Sequence, residues 1–90
     1  MASHQVTCHT PDNADLDRRL QGLGGPNWWD TIDNIIRFIE QRQHAFWVVS
    51  IYGQRVDVIV RQHPNGRKYL TTTADGFPPN NLLNLRHCPR

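Results

Sequence analysis

Apolar and polar positions along this chain follow two periods. Ile32, Ile35, Ile36 and Ile39 recur at the spacing of one helical face, which predicts a helix over residues 31–42. Asp30 is the expected N-cap, Asp33 lies near the positive end of the helix dipole, and Arg37 and Arg42 lie toward the other end. β-branched Ile is a mediocre helix former, so packing against a sheet has to hold this helix. Residues 46–73, FWVVSIYGQRVDVIVRQHPNGRKYLTTT, read instead as three consecutive antiparallel strands joined by two tight turns.

Gly53-Gln54 suits a two-residue type II′ turn with Gly at its first central position. That turn sets Tyr52 opposite Arg55, Ile51 opposite Val56, Val49 opposite Val58 and Trp47 opposite Val60. One face then collects Trp47, Val49, Ile51, Val56, Val58 and Val60, and is the expected seat of the helix. The other collects Phe46, Val48, Ser50, Tyr52, Arg55, Asp57, Ile59 and Arg61. Pro64-Asn65-Gly66 suits a three-residue loop, with Pro presetting a type I turn and Gly supplying the left-handed position. It places His63 opposite Arg67, Arg61 opposite Tyr69 and Val60 opposite Leu70.

Elsewhere the pattern is weaker. Residues 5–9 read as a short edge strand, and 14–20 as one or two helical turns capped by Asn13. Leu-Gln-Gly-Leu-Gly-Gly-Pro then ends any helix. At least one of Trp28 and Trp29 should pack under the first turn of the main helix. Ala74-Asp75-Gly76 reads as a turn, Pro78-Pro79 as a stop to strand pairing, and Asn80 as the cap of a helical turn over 81–85. The expected fold is α+β: a mainly antiparallel sheet of about four strands with one helix packed on one face, in a single small domain over 1–90.

Composition narrows the function classes only slightly. Ninety residues support one small core. No apolar run approaches the ~20 residues of a membrane-spanning helix, and the first ten residues lack a signal-peptide core, so a cytoplasmic setting without membrane contact is expected. A formal charge of +2 neither requires nor excludes nucleic acid. The basic residues are nine Arg and one Lys, and Arg is the better bidentate partner for carboxylate or phosphate.

Several short motifs run together along the chain: VTC at 6–8, LGG at 23–25 ahead of Trp28 and Trp29, the Ile-rich helix, VDVIV at 56–60, KYLTT at 68–72, ADG at 74–76, NNLLNL at 80–85 and Cys88-Pro89. Over most of its length this layout resembles a family of short, functionally uncharacterised microbial proteins, domain of unknown function 3892. The resemblance supports the fold reading and supplies no activity, substrate or catalytic residue.

Three constellations offer chemistry. Cys8-His9 and His87-Cys88 lie at opposite ends; side by side they would be weak candidates for a zinc site, but ligands within a pair are normally two or more residues apart. Two plain thiols are the expectation, and a disulfide is the other alternative. The second constellation sets Arg55, Arg61 and Arg67 among Phe46, Tyr52 and Tyr69 on the outer sheet face. Such a face fits a protein partner, since Arg and Tyr anchor interfaces, or nucleic acid, since aromatics stack bases. The third, Gly22-Leu23-Gly24-Gly25-Pro26 ahead of the helix, lacks a Walker lysine or dinucleotide fingerprint and reads as a flexible lead-in. No carboxylate pair or His cluster forms an acid/base motif, so a non-enzymatic protein-interaction module without a cofactor is expected, with nucleic-acid binding as the alternative.

Overall fold

Both hairpins of the principal sheet turn on the same three-residue motif. The computed structural model describes residues 2–75 and 79–89. At the second hairpin, Gly66 N–H bonds to the His63 carbonyl, His63 N–H bonds to the Arg67 carbonyl, and Gly66 takes φ +91°. Strands β6 (Arg55–Gln62) and β7 (Lys68–Thr72) therefore pair as expected, with Arg61 opposite Tyr69 and Val60 opposite Leu70. The first hairpin repeats this design rather than forming the expected two-residue turn. Gly53 N–H bonds to the Ser50 carbonyl, Ser50 N–H bonds to the Gln54 carbonyl, and Gly53 takes φ +77°. The Ser50 hydroxyl also accepts from the Tyr52 and Gln54 amides.

That turn corrects the register. Strand β5 (His44–Val49) pairs with β6 so that Val49 opposes Arg55, Val48 opposes Val56 and Trp47 opposes Asp57. Val49 is thus offset by three residues from its expected partner Val58. An odd offset exchanges the faces of β5. Phe46 and Val48 point into the core with Val58 and Leu70, while Trp47 and Val49 face outward.

Helix α1 (Ile32–Glu40) seats Ile32, Ile35 and Ile36 on that core, so it docks on the Phe46/Val48 side rather than on Trp47 and Val49. Thr31, not Asp30, is the N-cap and accepts from the Asn34 amide. The helix ends two residues early because Arg42 adopts φ +56°. Arg42 N–H then bonds to the Ile39 carbonyl and Gln43 N–H to the Phe38 carbonyl, the Schellman pattern with Arg in the place usually held by Gly.

One sheet was expected and two form. The first has the order β1-β5-β6-β7, with β1 (Ala2–Gln5) parallel to β5. The second contains β2 (Cys8–Pro11), β3 (Leu20–Gly24), β4 (Trp29–Thr31) and β8 (Arg86–His87) in the order β4-β3-β2-β8. The remaining pairings are antiparallel except β2 with β8, so the fold is small, α+β and mostly antiparallel. The chain crosses between the sheets at two residues: Val6 N–H bonds to the Trp47 carbonyl and Thr7 N–H to the Gly24 carbonyl. The expected strand over 5–9 is therefore two strands in different sheets. A common core joins Val6, Leu20 and Leu23 to α1, the first sheet and Leu82.

The expected helix over 14–20 is absent because aspartates divert the backbone. Asp12 accepts from the amides of Ala14 and Asp15, and Asp15 from those of Asp17 and Arg18. The glycines that follow are close-packing positions in β3 and the residue after it, not a flexible lead-in. A Cβ at Gly22 would strike the Trp29 ring, one at Gly24 the Cys8 sulfur, and one at Gly25 the Trp28 ring. Near the end, α2 (Asn80–Leu83) starts one residue early, and the Asp75 carboxylate accepts from the Asn81 amide at 2.8 Å. Of the expected Ala74–Gly76 turn and Pro78-Pro79 stop, Gly76 and Pro78 lie outside the described residues.

Candidate functional site

The corrected register builds a different outer face from the one expected. Paired residues share a face, so Trp47 with Asp57 and Val49 with Arg55 stand together, and Ile59 and Arg61 continue the row along β6. Val49 is 45% exposed, and the hairpin tip adds Ile51 at 72% and Tyr52 at 84%. The Arg55 guanidinium lies over the Trp47 ring at 4.3 Å from its centroid and donates to the Ser3 hydroxyl at 3.1 Å. β1, β5 and β6 therefore hold an exposed apolar strip with one arginine fixed across its indole. Arg61 is exposed and makes no ion pair or side-chain hydrogen bond among the described residues.

The expected site residues divide accordingly. Tyr52, Arg55 and Arg61 stand on the surface. Phe46 is 4% exposed and part of the core, because the three-residue turn rotates β5 by one face. Tyr69 is buried with its ring stacked on His63 at 4.2 Å. Arg67 is at the far turn and committed to Asp15 and Asp17 at 2.8 and 3.0 Å. Trp47 and Val49 belong to the strip and were assigned to the buried face by sequence; Ile51, assigned with them, is exposed in the turn. Their signal was present in β5, where Ala45 to Val49 is apolar on both faces and alternation cannot choose the side that is covered.

At the termini, Cys8 and Cys88 are joined by a disulfide across the β2–β8 pairing, which corrects the expectation of free thiols. With both sulfurs bonded to each other, the four-ligand zinc arrangement of Cys8, His9, His87 and Cys88 does not form. No cluster of three or more His, Cys, Asp or Glu suited to a metal occurs among the described residues. His9 is buried, its Nδ1 has no hydrogen-bond partner among the described residues, and its ring stands edge-on to His87 at 5.1 Å. Burial, then repulsion from His87, lowers its pKa below the ordinary histidine value, against a smaller upward pull from the Arg86 and Leu85 carbonyls.

No helix among the described residues is long and apolar enough to cross a membrane. The family model described as protein of unknown function (DUF3892) matches residues 15–86. No curated protein and no solved structure matches the chain.

Proposed function

This chain belongs to the DUF3892 family of proteins of unknown function, and we propose that it is a non-enzymatic module that docks a protein partner on the outer face of its first sheet. The observation that carries this reading is the exposure of Val49 beside the Trp47–Arg55 pair, with Ile51 and Tyr52 exposed in the adjoining turn. Aromatic and arginine side chains are the usual anchors of protein interfaces, and an apolar strip rimmed by charge is their usual form. Arg55 and Arg61 bias the partner toward an apolar segment flanked by carboxylates. Nucleic acid is the weaker reading: with Phe46 in the core, Tyr69 covered and Arg67 paired, the face keeps too few stacking rings for a row of bases. The Cys8–Cys88 bond favours an oxidising compartment over the cytoplasm.

An affinity pull-down from native-host lysate, with and without nuclease, tests this. A protein that is retained after nuclease and lost with Val49→Asp/Arg61→Ala supports the reading. Retention by that folded variant, or recovery that disappears with nuclease, refutes it.

A further inference from the structure

A second site lies on the opposite side of β5 from the outer strip. His4, Trp28, Phe38, His44 and Phe46 line a cavity of about 230 Å³, with Asp30 as its acidic member. The rings contact one another: Trp28 and Phe46 at 5.4 Å between centroids, His4 and Phe46 at 5.6 Å, Phe38 and His44 at 5.0 Å edge to face. His4 Nε2 and His44 Nδ1 are 3.1 Å apart, and that hydrogen bond needs one ring nitrogen as acceptor, so at least one of the two rings is uncharged.

Asp30 is unusual in this setting. Its Oδ1 accepts from the Thr31 amide at 2.9 Å and from Asn34 Nδ2 at 2.7 Å. Its Oδ2 has no hydrogen-bond partner and the residue forms no ion pair among the described residues. A carboxylate that forms no ion pair among the described residues thus borders a cavity walled by aromatic rings. The local sequence fixes this geometry: the Trp28 indole lies on Gly25, where any Cβ would displace it, and β1 aligns His4 with Phe46.

We infer that this cavity binds the head of a small organic cation of the alkylammonium class. Aromatic faces attract a weakly hydrated ammonium, and the carboxylate supplies the opposite charge. The cavity is smaller than the roughly 300–1,000 Å³ of drug-sized sites, which suits a head group rather than a large ligand. The site is independent of the outer strip, and its test does not depend on a protein partner.

The test is a titration of the intact, oxidised chain with choline chloride, followed by ¹H–¹⁵N spectra against a sodium chloride blank of equal ionic strength. The uncharged isostere 3,3-dimethyl-1-butanol is the comparison. Saturable shifts at the Trp28 indole N–H, with choline binding about tenfold or more tighter than the isostere, are expected. Asp30→Asn keeps the Oδ1 acceptor and removes the charge; it should weaken choline about fivefold or more and leave the isostere unchanged. Phe38→Leu should weaken choline with the carboxylate intact. No saturable shift, equal affinity for the two probes, or an Asp30→Asn chain that stays folded and binds choline as before would overturn the inference.

Discussion

The Arg67 guanidinium closes on the Asp15 carboxylate with both terminal nitrogens, Nη1 to Oδ1 at 2.9 Å and Nη2 to Oδ2 at 2.8 Å. Nη1 also reaches Asp17 at 3.0 Å. This fork ties the aspartate-rich loop between β2 and β3 to the β6–β7 turn. The Arg67 hydrogen bonds, helped by the Arg18 and Asp17 amides, hold the Asp15 carboxyl below its ordinary pKa against a smaller opposing effect of burial. A lowered folded-state value means stability that is present above the ordinary carboxylate range and lost as the pH falls through the lowered one. Arg67→Ala should therefore melt modestly lower than wild type at pH 7. The gap between the two should close as the pH falls through the lowered Asp15 value. Thermal melts across that range check this; a constant gap down to the lowest pH would detach the effect from Asp15.

Gly25→Ala should destabilise the fold by about 1–3 kcal/mol, since the added Cβ meets the Trp28 ring and the Gln5 carbonyl. The same substitution should move the Trp28 indole resonance, because the ring cannot keep its seat. Urea titration and the indole N–H spectrum read the two effects separately.

Reduction of Cys8–Cys88 releases a crosslink between residues 80 apart in sequence. Cys8→Ser/Cys88→Ser should lose about 2–4 kcal/mol and melt about 10–20 °C lower. Calorimetry of the wild-type protein with and without reductant should give a similar drop, and reductant should leave the variant unchanged.

Arg42→Gly should stabilise the chain by about 0.5–1 kcal/mol, because Gly takes the left-handed position of the Schellman motif without the steric cost that Arg bears at φ +56°. Denaturant midpoints check this; a lower midpoint would mean that the Arg42 side chain contributes more than its backbone costs.

The legible parts of the fold are those where a turn residue and the hydrophobic pattern agree. Pro64 and Gly66 mark both critical positions of the second loop, and the β6–β7 register follows. The Ile32/Ile35/Ile36 face is strong enough to give the helix, but Arg42 carries no glycine signal for its end. At the first hairpin, Ile51 and Tyr52 form an apolar loop tip, so the alternation runs on through the turn and shifts the register. That single offset moved Phe46 off the candidate surface and brought Trp47 and Val49 onto it. The second sheet was hidden because β3 is written in glycines that read as a loop until the indoles lying on them are seen. The Cys8–Cys88 bond depends on the parallel β2–β8 pairing of residues from opposite ends, which no local pattern encodes.

The outer strip depends on how β5 pairs with β6, and one NMR experiment decides it. Ser50 and Gln54 form the hydrogen-bonded closing pair, so Trp47–Asp57 and Val49–Arg55 are non-hydrogen-bonded pairs with closely approaching Cα atoms. Strong cross-strand Hα–Hα Overhauser contacts for those two pairs would establish Trp47 and Val49 as outward residues. Contacts following the Val49–Val58 and Trp47–Val60 pairing instead would bury Trp47, return Phe46 to the surface and remove the proposed docking strip.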